Sequence, residues 1–193
     1  MRDAKLRTMP NFARNLCYRL WKLGIKRVDW PGMVAGWVRC DLWRAEKLLI
    51  DGNPSDQEIN LLVDRLEIDA ETLCYGDLFG EDKNINVLKE NLTRLFENLK
   101  HGQKQVIAEQ LKVNSFTLSR WLAGEQKPKR SRIAQIKKIF SVSDTLDLTS
   151  YPLFLSFQPE GIAEKRGLIR HKLESIDDDT FNELYAALLK ILG

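Results

Sequence analysis

The chain has 193 residues, 44% of them hydrophobic and 30% charged, with a net charge of +3. That suffices for one large domain or two small ones and excludes a disordered chain; no apolar run approaches the roughly 18–20 residues that span a bilayer. Cys17, Cys40 and Cys74 are scattered and odd in number, and only His101 and His171 accompany them, which disfavours a disulfide framework, a zinc site and histidine-based catalysis and fits a reducing cytosol.

In chain order, residues 1–40 hold 9 basic and 2 acidic groups. Arg2, Lys5 and Arg7 open the chain, but no apolar stretch follows as a secretory signal requires. Leu16, Leu20 and Leu23 give a first helical stripe, and Val34-Ala35 lie on a second helix opened by Trp30-Pro31-Gly32. Residues 41–82 reverse the charge, with 3 basic and 12 acidic groups. A third helix, Asp41 to Leu49, turns Ala45 inward and Asp41, Trp43, Arg44 and Lys47 outward. A fourth begins Pro54-Ser55-Asp56-Gln57-Glu58, a capping box in which Ser55 and Glu58 satisfy each other's backbone N–H groups. It buries Ile59, Leu62 and Leu66, and the segment closes on Leu73-Cys74-Tyr75-Gly76-Asp77-Leu78-Phe79.

Residues 83–140 hold 13 basic and 4 acidic groups, an electrostatic footprint for a polyanion unless the charges merely solvate a helix face. Val87, Leu88, Leu92, Leu95, Phe96 and Leu99 form a helical stripe. After Gly102, a helix from Gln103 to Leu111 places Ile107, Ala108 and Leu111 inward. Asn114 caps the next helix, Ser115 to Leu122, with Leu118, Trp121 and Leu122 inward and Phe116, Thr117, Ser119 and Arg120 outward. A basic loop through Pro128 leads to a fourth helix with Ile133, Ile136, Ile139 and Phe140 inward. Residues 141–193 return to excess acid. There, 160–174 and 180–192 read as two helices, the latter with a capping box at Thr180 and Glu183 behind Asp177-Asp178-Asp179. Its stripe of Phe181, Leu184, Tyr185, Leu188, Leu189, Ile191 and Leu192 is broad for a lone helix and needs a partner surface.

The chain repeats itself. Leu73 to Phe79 echoes Leu148 to Phe154 at 75 positions; Pro54, Ile59, Leu62, Leu66 and Ile68 map to Pro128, Ile133, Ile136, Phe140 and Val142 at 74. Val34-Ala35 and Ala45 map to Ile107-Ala108 and Leu118 at 73, and Leu16, Leu20 and Leu23 to Leu88, Leu92 and Leu95 at 72. Each copy reads as five short helices. With no period-2 stretch longer than Leu153–Phe157, the fold class is all-α.

The segment Lys104 to Trp121, followed by LAGEQKP and an amphipathic helix, resembles the Xre family, the lambda-repressor-like helix-turn-helix DNA-binding domains. Ile107-Ala108, Lys112-Val113, Leu118, Trp121 and Gly124 occupy the motif positions. The first copy resembles it less closely: Val34-Ala35, Val38, Cys40 and Ala45 match, but one extra residue near Ile50–Gly52 lengthens the exit from its third helix. The resemblance implies two tandem five-helix lambda-repressor-like domains, 11–82 and 84–157, plus a helical C-terminal extension, 158–193. It further implies that the third helix enters the major groove of double-stranded DNA. Ser115, Phe116, Thr117, Ser119 and Arg120 would then meet base edges, with Asn114 at the helix start and Gln103 and Lys104 at phosphates. Arg120 suits guanine and Phe116 a thymine methyl.

Where the first copy has its capping box, the second has Pro128-Lys129-Arg130-Ser131-Arg132. Cations at a helix N-terminus oppose the helix dipole by about 0.3–1 kcal/mol each, a cost that a bound phosphate removes. Lys127, Lys129, Arg130 and Arg132 are therefore expected to clamp the DNA backbone. For the first copy two readings stand. It is an auxiliary DNA reader using Trp43, Arg44, Lys47 and the basic residues Arg14, Arg19, Lys22, Lys26, Arg27 and Arg39, or a protein-binding module.

The function expected is a sequence-specific DNA-binding transcriptional regulator acting as a repressor. It would be cytoplasmic and bacterial or phage-encoded, would need no cofactor or metal, and would dimerise or bind another protein through its C-terminal helices. The alternative is an antitoxin-like or phage-defence accessory protein that binds a partner protein or ribonucleoprotein. No Gly-rich phosphate loop, nucleophile–base pair or metal spacing suggests an enzyme.

Overall fold

The computed structural model describes residues 9–97, 99, 102–157, 176–178, 180–182 and 184–185. The described residues are all-α, without strands. The first half contains α1 (Phe12–Lys22), a 3₁₀ turn η1 (Arg27–Asp29), α2 (Trp30–Val38), α3 (Leu42–Asp51), α4 (Asp56–Leu66), α5 (Ala70–Tyr75) and α6 (Leu78–Glu81). The second contains α7 (Val87–Glu97), α8 (Gln103–Gln110), α9 (Ser115–Ala123), α10 (Arg130–Ile139) and a 3₁₀ turn η2 (Leu153–Leu155). No helix among the described residues is long and apolar enough to cross a membrane.

The halves repeat each other in backbone detail. Arg39 and Lys112, 73 positions apart, both take the left-handed conformation after the helix preceding α3 or α9. The next residue's N–H then returns to the helix, Cys40 to Ala35 O at 3.1 Å and Val113 to Ala108 O at 3.0 Å. Glu67 and Ser141, 74 apart, repeat the device after α4 and α10. Such a left-handed stop satisfies carbonyls that a helix end leaves open, and both pairs accept it without glycine.

The first helices correct one expectation. Asn15 and Asn91, each fully buried, are 76 positions apart. Asn15 Nδ2 donates to Leu73 O and Gly76 O at 3.0 and 2.9 Å; Asn91 Nδ2 donates to Leu148 O and Tyr151 O at 2.9 and 2.8 Å. Phe12, Leu16 and Leu20 therefore correspond to Leu88, Leu92 and Phe96, one helical turn from the register read off the leucines. A slip of four residues preserves an apolar stripe, so periodicity alone cannot detect it. Leu23 is exposed, and η1 takes up the extra length before α2.

Two further expectations need amendment. Among the described residues the first half forms six α-helices and the second four, rather than five each; in the second, Asp147 accepts from Thr149 N, Thr149 Oγ1 and Ser150 Oγ, local bonds that compete with a helical turn. The exit from α3 is one residue longer than that from α9, as expected, yet the following loop is shorter. Only Asn53 separates Gly52 from Pro54, whereas Glu125, Gln126 and Lys127 separate Gly124 from Pro128.

Each half has its own apolar core. Phe12, Leu16, Leu20, Trp30, Val34, Leu48, Leu62 and Leu73 centre the first; Leu92, Phe96, Leu111, Leu118, Trp121, Ile136 and Leu148 centre the second. The turn η2 joins them, since Leu153 packs in the second core while Phe154 and Leu155 pack in the first. The Phe154 ring lies 4.9 Å from Trp21 and 6.1 Å from Phe79. Buried Arg94 donates to Leu153 O from α7. Burial pushes the Cys17 thiol up to about 12, so it behaves as a small hydrophobe.

The C-terminal extension lies largely outside the described residues, including 158–175, Asp179, Glu183 and 186–193. Where it is described, Asp177 rather than Thr180 caps the helix, accepting from Thr180 N at 2.9 Å and Thr180 Oγ1 at 2.8 Å. A carboxylate one turn earlier takes the capping position.

Candidate nucleic-acid interface

The second half presents α9 with its apolar side buried and its polar side outward. Leu118 and Trp121 are in the core; Ser115, Phe116 and Ser119 are exposed, and Thr117 and Arg120 are half-buried. Phe116 is 69% exposed, so it is a surface aromatic. Its ring carries the Arg120 guanidinium 5.9 Å away, and Arg120 Nε lies 3.6 Å from Glu125 Oε2. Arg120 is thus braced from both sides in the free protein. Asn114 is occupied as a cap, its Oδ1 accepting from Thr117 N at 2.7 Å.

Two helix N-termini in this half lack a side-chain cap. Gly102 precedes α8 with φ of +84°, a conformation favouring glycine, and Gln103 and Lys104 follow it, both exposed. Lys129 precedes α10, with no acid in the first turn. Lys127, Lys129 and Arg130 are exposed and make no ion pair among the described residues. Arg132 is half-buried and donates to Gln135 Oε1 at 2.7 Å. Free backbone N–H groups and unpaired cations together make a receptor for an anion. A crevice of about 350 Å³ adjoins this loop. Its lining includes Asn86, Lys89, Trp121, Gln126 and Lys127 and no acidic side chain.

Lys112, not expected as a contact, sits exposed in the turn before α9 and makes no ion pair among the described residues. The signal in the sequence was its counterpart Arg39, a second cation at the same left-handed position.

The first half disposes of its charges differently. The capping box forms: Ser55 N donates to Glu58 Oε2 at 2.7 Å, and Glu58 N to Ser55 Oγ at 3.3 Å. Arg44 grips the same carboxylate with two bonds of 2.8 and 2.7 Å and donates to Asn53 O. Lys47 lies 3.2 Å from Asp51 and over the Trp43 ring at 5.6 Å. Arg14 pairs with Asp77 and Lys22 with Asp82, each at 2.5 Å, while Arg19 donates to Leu66 O. Arg14, Lys22, Arg44 and Lys47 are thus each committed to a carboxylate within this half.

The Arg44 guanidinium holds the Glu58 carboxyl down at about 2, against an ordinary 4.5, with burial opposing and Ser55 assisting. A depressed carboxyl stabilises the fold above its ordinary value and loses that contribution as pH falls towards 2. With Glu58 only 13% exposed, Arg44→Ala is expected to cost about 2 kcal/mol at neutral pH and little near pH 2. Urea unfolding at both pH values checks this; an equal deficit at both would refute it.

Among the described residues no three His, Cys, Asp or Glu side chains converge on a point that could hold a metal ion. No known protein family, no curated protein and no solved structure matches this chain.

Proposed function

We propose that this protein binds double-stranded DNA through its second half and regulates transcription as a repressor. The observation carrying this reading is the start of α10, where Lys127, Lys129 and Arg130 stand exposed at a helix N-terminus without a side-chain cap and make no ion pair among the described residues. The equivalent place in the first half is closed by Ser55, Glu58 and Arg44. Similar extended N-cap residues, Ser55 and Lys129, with opposite chemistry favour an anionic ligand at one copy and not the other.

In this reading the two halves are tandem lambda-repressor-like helix-turn-helix domains. Helix α9 lies in the major groove, with Ser115, Phe116, Thr117 and Ser119 at base edges. Arg120 exchanges Glu125 for a guanine, Lys104 and Lys112 approach the backbone, and the α10 N-terminus takes a phosphate. Phosphate contacts dominate affinity; α9 supplies discrimination.

The first half supports a second reading as a protein-binding module. Arg44 and Lys47, which would reach DNA, are held by Glu58 and Asp51, and α2 carries no charged residue. A chain using only this half would fit the accessory or antitoxin-like alternative.

Titration against random duplex DNA at two salt concentrations tests the first reading. Affinity is expected to fall steeply with salt, by a log–log slope of about 0.9 per phosphate contacted. Arg120→Ala is expected to leave that slope nearly unchanged while costing about 1–3 kcal/mol against a selected guanine-containing site. No salt-sensitive binding at low salt would reject the DNA reading.

A further inference from the structure

An exposed helix normally shows charge to water, and α2 (WPGMVAGWV) has none. Met33, Gly32 and Gly36 face solvent, with nothing within 4 Å of where a Cβ would stand on either glycine. Trp37 is half-buried beside them, and Leu42 and Trp43 on the packed neighbour α3 are 59% and 64% exposed. The i, i+4 pair Gly32 and Gly36 forms a shallow groove next to the ridge of Met33 and Trp37. Apolar surface of this kind marks a docking site.

We propose that the occupant is residues 180–192 of the same chain, laid over the α2–α3 face as an amphipathic helix. Three observations single it out. First, Arg27 in η1 donates to Phe157 O at 3.0 Å and lies 5.8 Å from the Phe157 ring. The last residue of the second half is thus pinned three positions ahead of α2. The eighteen residues 158–175 reach about 27 Å even if helical and about 60 Å extended.

Second, the segment offers apolar side chains of matching character: Phe181, Leu184 and Tyr185 are exposed, and Leu188, Leu189 and Leu192 continue the stripe in the sequence. Third, the charges complement. Asp177 and Asp178 precede the segment, while Lys26 and Arg39, exposed at the two ends of the α2 region, have no ion pair among the described residues. Tethering raises the effective concentration of the segment above that of any copy in solution, and helix-in-groove packing needs only anchors at this spacing.

This inference is independent of DNA binding. Its test places a photoreactive benzoylphenylalanine at position 43 of the full chain, replacing Trp43, and maps the adducts by mass. Adducts to residues 180–192 at monomer mass are expected. Adducts at dimer mass would overturn the proposal in favour of a second copy, and adducts elsewhere or none would leave the face uncovered and overturn it outright. As a second measurement, Leu184→Asp with Tyr185→Asp, both at exposed positions, is expected to speed amide exchange in Trp30–Val38 at least tenfold. Unchanged exchange would equally refute it.

Discussion

Replacing Lys129 and Arg130 together with alanine is expected to weaken binding to duplex DNA about 30-fold at about 0.15 M salt and to lower the log–log salt slope by about 1.8. Both numbers follow from losing two phosphate contacts, each releasing about 0.9 counterion. The fold should not suffer. Both side chains are exposed and make no ion pair among the described residues, and removing cations from the start of α10 relieves their repulsion by the helix dipole by a few tenths of a kcal/mol each. A variant that binds more weakly and unfolds no more easily is the signature of a site that gave up local stability for a ligand. If the salt slope stays at the parent value, the α10 N-terminus is not in contact with phosphate. Arg44→Ala, the matched change in the first half, is expected to leave DNA affinity within about twofold, because its guanidinium is already committed to Glu58.

Replacing Asn91 with leucine is expected to cost about 4 kcal/mol of stability. Asn91 donates to Leu148 O and Tyr151 O, and its Oδ1 accepts from Phe154 N at 2.9 Å. Leucine has nearly the same shape but leaves the buried Leu148 carbonyl and the Phe154 N–H without Asn91, at about 1–3 kcal/mol each, while Tyr151 O keeps its bond from Leu153 N at 2.9 Å. Thr93→Ala, at an exposed position on the same helix, should stay within about 0.5 kcal/mol. Urea unfolding of both variants provides the comparison. A loss below about 1 kcal/mol would mean that apolar packing alone fastens α7 to the turn beneath it. Asn91 also fixes the backbone just before η2, the turn carrying Phe154 and Leu155 into the first core. Loosening it should therefore uncouple the halves as well as soften the second.

Much of the fold was legible. Apolar periodicity placed α8 and α9 to within a residue and picked out the inward stripe of α10, because each must bury one face. Spacing from Leu118 put Trp121 inside and Phe116 outside. The contrast between Ser55–Glu58 and Lys129–Arg132 was readable because capping chemistry is local: it needs only the residues of one turn.

What escaped was whatever depends on residues far apart in the chain. The register of the first helix slipped by one turn because a leucine stripe repeats nearly every four residues. A buried asparagine breaks that degeneracy through bonds to carbonyls 57 to 61 positions away. The recurring dipeptides Asn15-Leu16 and Asn91-Leu92 were the available clue. Whether the residues around Asp147 form a helix turned on a competition between local bonds at Asp147 and a helical turn, which composition does not decide.

Charge shows the division most plainly. The sequence by itself determined that the chain is all-α, repeated, and alternately basic and acidic. Only the tertiary structure decided which charges remain available. It folds Arg14 and Lys22 back onto Asp77 and Asp82, and Arg44 onto Glu58, while leaving Lys127, Lys129 and Arg130 facing water. A sequence counts charges, but a Coulomb energy depends on the distance between them, and that distance is set by packing.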